Sequence, residues 1–264
     1  MLKILVLGDW HIGHHRSLML PEYDDPTSGM KILANPMQNF LFDKMCHMIK
    51  LVGDVDIIIF NGDMIEGPNK HENGHGVWNT DIHAQAQCAA TLIDMFRCKR
   101  MYFSQGSTYH TGNPTGDKIV CDLVGGTWVG DWQFFEINNT LKFFLKHYGD
   151  YSSVPYSRCT GQRKQAMIAK SQGTDIDVYI NSHTHHFVFS GDSNDLSIAV
   201  PCWKGIDSYM GKKSIEKPDN GYVVINVDES TYTWDYNLFS IPFQLYDKTI
   251  KINEADIKKI VVGV

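Results

Sequence analysis

The chain has 264 residues, a formal net charge of −6, 43% hydrophobic and 20% charged residues. That length and apolar content suit one α/β domain with a sizeable core, and the acidic balance excludes a globally basic surface as a device for binding nucleic acid or membrane. Bound divalent cations would reverse the sign locally, so a phosphate-bearing substrate stays open.

Cys46, Cys88, Cys98, Cys121, Cys159 and Cys202 are scattered without a paired spacing. Buried free thiols in a reducing compartment are therefore expected, not a disulfide scaffold or a zinc ribbon. The chain starts on a strand, not on a basic segment leading into an apolar run, and no stretch of about 18 apolar residues appears. A cytoplasmic protein without membrane contact is expected. Several of the twelve histidines sit beside Gly, Asp or Asn in loop-like sequence, where packing explains little.

Ile4 to Leu7 reads as a short buried strand that runs into Gly8-Asp9-Trp10-His11-Ile12-Gly13. If extended geometry continues, Asp9 and His11 project to one side and could hold a divalent cation. The plain alternative is a turn with a capping Asp and a surface His. Residues 14–35 form a long irregular connection, expected over the site or at its rim. Residues 37–52 carry Leu41, Met45 and Met48 at helical spacing, a core-facing stripe.

Val55 to Phe60 is a second buried strand, ending in Asn61-Gly62-Asp63. Open α/β sheets place ligands beyond the carboxyl ends of such strands, and two strands here deliver an Asp to that edge. The loop 64–80 contains His71 and His75, for which plain solvation is the stronger reading. Thr80 is a candidate N-cap for a helix over 81–97. Met101 to Phe103 forms a third strand, running into Gly106-Ser107-Thr108-Tyr109-His110.

Residues 115–124 read as a helix, then Trp128 to Ile137 and Leu141 to Leu145 as two strands around Asn138-Asn139, the second leading to His147. Arg158 to Ser171 is a basic amphipathic helix with a solvated face. Ile176 to Ile180 is a strand followed by Asn181-Ser182-His183-Thr184-His185-His186. The remainder, from Phe187 to Leu238, alternates like antiparallel strands around a polar loop 201–220. The chain finishes with the apolar Ile260-Val261-Val262. With no repeat or linker, 1–264 reads as a single domain.

In order, the polar groups at the strand ends are Asp9-x-His11, Gly62-Asp63, Gly106 to His110, His147 and His183-x-His185. This series resembles the calcineurin-like metallophosphoesterase superfamily, whose pattern is Asp-x-His, Gly-Asp, Gly-Asn-His, a lone His and Gly-His-x-His. Two departures stand out. Ser182 replaces the usual Gly before His183. Ser107 takes the place of the Asn, with His110 displaced by two residues, a form similar to the Gly-Thr-x-x-His of phage and mobile-element members.

The resemblance implies a four-layer αββα sandwich and a binuclear metal site. Asp9, His11 and His185 would hold the first cation, His147 and His183 the second, and Asp63 would bridge the two. Manganese is the expected metal, with Fe, Ni or Zn also compatible with carboxylate and imidazole donors. The implied reaction is hydrolysis of a phosphodiester, such as a nucleic acid or nucleotide, by a metal-bridging hydroxide, with His110 as general acid. A structural or supporting role for His110 stands beside that one.

Lys204, Lys212, Lys213 and Lys217 around Trp203 and Tyr209 could contact a nucleic-acid strand, with an ordinary solvated loop and a packed Trp as the equal alternative. A phosphomonoesterase and a catalytically reduced scaffold are the rival functions. A viral source would put the protein in the host cytoplasm.

Overall fold

The computed structural model describes residues 1–111, 115–150, 152, 154–192, 195–213 and 216–246; the apolar tail around Ile260 lies outside them. In chain order the elements are β1 (Leu2–Leu7), the hairpin β2 (Glu22–Asp24) and β3 (Lys31–Leu33), α1 (Pro36–Val52), β4 (Val55–Asn61), α2 (Ile82–Ile93), β5 (Cys98–Ser104), α3 (Thr108–Thr111), α4 (Thr115–Leu123), β6 (Thr127–Gly130), β7 (Trp132–Ile137) and β8 (Leu141–Lys146). They continue with α5 (Thr160–Ser171), β9 (Val178–Asn181), β10 (Val188–Gly191), β11 (Leu196–Ala199), α6 (Ser208–Lys213), β12 (Asn220–Asp228) and β13 (Thr231–Phe239).

Apart from the β2–β3 hairpin, the strands form two mixed sheets. One has the order β13-β12-β1-β4-β5-β6, the other β10-β11-β9-β8-β7. β1, β4, β5 and β6 are parallel neighbours, while β12 returns antiparallel to β1 with Leu2 opposite Val227. β1 is apolar and buried from Ile4 to Leu7 because both its faces are covered there. Ile4 and Val6 pack with Val223, Ile225, Phe143, Val178 and Ile198 between the sheets. Leu5 and Leu7 turn the other way, into a core shared with Leu41, Met45 and Met48 of α1, Leu92 of α2 and Val120 of α4. Ala166 of α5 covers the far side of the second sheet through Tyr179. The result is the four-layer αββα arrangement, and no helix among the described residues is long and apolar enough to cross a membrane.

α1 starts where Asn35 accepts from the Met37 and Gln38 backbone N–H groups and Gln38 bonds back, a capping box. α2 differs from the sequence reading: Asp81, not Thr80, caps it through His83 N–H, and it ends at Ile93, not at 97. The single strand expected over Trp128–Ile137 is two. Gly130, at φ 77°, turns the chain so that β6 completes one sheet and β7 starts the edge of the other. The Asn138-Asn139 turn is as expected, both residues left-handed at φ 54° and 57°.

Residues 14–35 do not line the cleft described below. Leu18, Met19 and Tyr23 are buried, and Tyr23 donates to the Ala84 carbonyl, so this connection is drawn onto the helix layer. All six cysteines are free.

Candidate metal centre

The parallel register of β1 and β4, with Leu7 opposite Phe60, brings their carboxyl ends level. Beyond them the chains stay coupled: Asp9 N–H donates to Gly62 O at 3.0 Å and His11 N–H to Asp63 O at 2.9 Å. The extended geometry expected for Asp9 and His11 does not persist. Both have positive φ (52° and 50°), as do Asp63 (52°), His183 (72°) and His185 (58°). Left-handed turns, not strand alternation, aim these side chains inward, while Trp10 between the first two is fully buried against Phe60.

The six expected ligands come together in two groups. Asp9, His11 and His185 form one, Asp63, His147 and His183 the other. In the first, His11 Nε2 and His185 Nε2 are 2.9 Å apart, and Asp9 Oδ1 lies 3.7 Å and 3.5 Å from them. Asp9 Oδ1 is also 4.0 Å from His147 Nε2, so this oxygen faces both groups. In the second, His147 Nε2 is 3.1 Å and His183 Nδ1 3.9 Å from Asp63 Oδ2. His147 Nδ1 donates to the Asn61 carbonyl at 2.7 Å, which makes Nε2 the nitrogen turned toward Asp63 and the one that can ligate once its proton is displaced.

These residues fit a divalent cation. Asp9 Oδ1 is buried and has no hydrogen-bond partner among the described residues, and a buried carboxylate oxygen left so is costly without a cation. The donors are imidazole nitrogens and carboxylate oxygens with no thiolate, a set for first-row metals. Burial alone would raise Asp9, but the imidazoles of His11 and His185 facing it, with His147 nearby, hold it well below the carboxylate range. Against burial, the Asp63 charge and hydrogen bond lift His147 to about 10. Burial and Lys204 press on His11, yet Asp9 and Glu66 raise it to about 9. The pocket draws in positive charge, which a metal ion or protons can supply.

Ser107 does not project as a free oxygen. Its hydroxyl sits 3.0 Å and 3.1 Å from the Asp63 carboxylate oxygens, and its N–H donates to Asp63 Oδ1 at 2.6 Å. His110 reaches the same place from α3: Nε2 is 3.9 Å from Asp63 Oδ2, and Nδ1 is 3.2 Å from the Glu66 carbonyl. Burial lowers its pKa to about 4. Ser182 is accounted for by packing, since its hydroxyl accepts from Asn61 Nδ2 at 2.8 Å while Asn61 Oδ1 accepts from Ser104 at 2.7 Å.

Three residues around the site had no signal in the sequence pattern. Asp117, buried in the first turn of α4, accepts from Met64 N–H and Gly106 N–H at 2.7 Å each and so ties the loops after β4 and β5 together. Glu66 stands 2.9 Å from His11 Nδ1, and Tyr148 packs its ring on His183 at 4.3 Å. Of the supposed nucleic-acid loop, Trp203 is fully buried and packs on Phe239. Lys204 is buried between Glu66 and Asp207, and Lys217 covers the Phe243 ring. Tyr209 and Lys212 are exposed; the Lys213 side chain lies outside the described residues. His75 is exposed and outside the cleft, and the His71 side chain is likewise undescribed.

The centre opens into a cleft of about 400 Å³ bordered by Asp63, Ser107, His110, His183 and His185 and rimmed by Tyr109, Tyr148 and Tyr209. No protein-family model matches the chain, and no curated protein matches it. Among solved structures it is similar to Vps29 of Entamoeba histolytica complexed with zinc (TM-score 0.47, 13% identity, covering 90% of this chain and 100% of that one). It is also similar to an archaeal phosphodiesterase (TM-score 0.47, 15% identity, 89% and 100% covered) and to a phosphoesterase-like protein of Streptococcus pneumoniae (TM-score 0.41, 11% identity, 90% and 89% covered).

Proposed function

We propose that the protein is a binuclear-metal-dependent phosphoesterase acting on a phosphodiester, of the nucleotide or nucleic-acid kind. The observation that carries this reading is the meeting of two carboxylate–imidazole groups at one cleft, with Asp9 Oδ1 buried, unpaired and facing both. Asp9, His11 and His185 would hold one cation and Asp63, His147 and His183 the other, with manganese the expected ion. Two such cations supply Lewis-acid charge for the phosphoryl oxygens and a nucleophile at neutral pH.

The chain's own residues do the rest. His147 is held with Nε2 inward by the Asn61 carbonyl. Ser107 steadies Asp63 through both of its carboxylate oxygens. His110 turns Nε2 toward the cleft, where it can hand a proton to the leaving oxygen. An anionic substrate bound beside it offsets the effect of burial and favours the protonated ring.

With added Mn²⁺, turnover of a bis-aryl phosphodiester is expected to exceed that of an aryl phosphate; the reverse order supports a phosphomonoesterase. Single-stranded DNA and cyclic or linear nucleotides then narrow the substrate. Asp63→Ala is expected to lose hydrolysis and two-ion loading together, and unchanged turnover in that variant rules the assignment out. The scaffold alternative draws on Ser107, whose hydroxyl is spent on Asp63 where the family pattern has an Asn. Less than one metal equivalent after incubation with Mn²⁺ would favour it.

A further inference from the structure

Glu66 has no place in the ligand pattern, yet it sits three residues beyond Asp63 with its carboxylate almost fully buried. Its Oε2 is approached by three nitrogens: His11 Nδ1 at 2.9 Å, Lys204 Nζ at 3.0 Å and His110 Nδ1 at 3.5 Å. Its Oε1 takes the Asn69 amide at 3.3 Å. The contact to His11 is short without the alignment of a hydrogen bond, so it acts by charge and by occupying the Nδ1 side of the ring.

Lys204 is 1% exposed and shares its amine with Asp207 Oδ2 at 2.8 Å. Asp207 Oδ1 in turn accepts from Met210 N–H at 2.7 Å, at the start of α6. An amine enclosed by two carboxylates cannot also serve as a substrate-binding cation. It does place a fixed positive charge against the oxygen that His11 and His110 share. Those three residues form a third donor group, and the Lys204 ammonium already occupies the cation's part there.

We infer that Glu66, held by Lys204 and Asp207, is the positioning residue of the centre. Its carboxylate occupies the Nδ1 side of His11, so that Nε2 faces Asp9 and His185, while its backbone carbonyl takes His110 Nδ1 at 3.2 Å and leaves that ring's Nε2 to the cleft. The lysine limits the centre to two ions. A carboxylate behind a histidine ligand fixes ring orientation and raises ligand basicity, and its loss costs about 10- to 100-fold in metal affinity. The inference rests on the metal-centre reading above.

The test is a calorimetric titration of the apo-protein with Mn²⁺, paired with imidazole ¹⁵N NMR. Wild type is expected to bind two ions. Glu66→Gln is expected to bind the ion of the Asp9–His11–His185 group about 10- to 100-fold more weakly, to keep the other ion's affinity, and to shift the His11 Nδ1 resonance. The double variant Glu66→Gln/Lys204→Met removes one charge of each sign and carries the same expectation if the single variant fails to fold. Two ions bound with wild-type affinity and unshifted His11 signals in either variant overturn this inference alone. A wild type that binds no ion overturns the metal centre and this inference with it.

Discussion

Asp9, His11, Asp63, His183 and His185 share a backbone property as well as a cleft: each holds φ between 50° and 72°. Non-glycine residues in that region cost on the order of 1–3 kcal/mol each and persist only where the surroundings enforce them. Here the enforcement is close approach of neighbouring loops. A Cβ on Gly106 would lie 2.2 Å from Asp63 N and 2.3 Å from Asp63 Oδ1, and one on Gly62 2.5 Å from Gly106 Cα. Gly106→Ala is therefore expected to destabilise the protein by about 1–3 kcal/mol and to reduce Mn²⁺ stoichiometry by displacing Asp63, checked by urea unfolding and metal analysis. A variant with wild-type stability and two bound ions would refute this. The identities of the six histidine and aspartate candidates were readable from the order of motifs. Their left-handed conformations were not, because spacing two apart after a strand reads as continued extension.

Between elements, the strand ends are held in register by groups that no pattern marks. Asp117 at the start of α4 receives N–H groups from the loops after β4 and β5, and burial with Asp63 nearby raises its pKa to about 6. A carboxyl whose folded value lies above its unfolded value stabilises the fold most when protonated. Its contribution is thus full below about 3.8 and lost as pH rises through about 6, a change of about 3 kcal/mol at most. In the chelated protein, the stability difference between wild type and Asp117→Asn should change across pH 4 to 6, with wild type losing ground as pH rises. Parallel pH profiles for the two would contradict this. Element identity was mostly legible: β1, β4, α1 and α4 fall where apolar periodicity puts them. β6 and β7 were merged because a Gly within an apolar run does not announce a change of sheet.

At the scale of the molecule, the Asp9–His11–His185 and Asp63–His147–His183 groups each draw on both sheets. Asp9 and His11 follow β1 and Asp63 follows β4 in the six-stranded sheet, whereas His147 follows β8 and His183 and His185 follow β9 in the other. A cation in either group would cross-link the sandwich at one end. Ligand that binds only the folded state adds about 2.7 kcal/mol per site at one hundred times its Kd. Mn²⁺ is therefore expected to raise the Tm, chelation to lower it, and Asp63→Ala to show a smaller shift; a Tm indifferent to both reagents would exclude the cross-link.

The alternation of buried strands with polar ends, the helix positions between them, and the set of histidines and aspartates able to act together were all legible in the residue order, because these are local matters of periodicity and residue chemistry. The tertiary structure decided how Asp9 and His11 converge, that Lys204 and Trp203 are interior, and that Glu66 stands behind His11. Those depend on which sheet each strand joins and which side chains then compete for the same buried space, and that is settled only by contacts between residues distant in the chain.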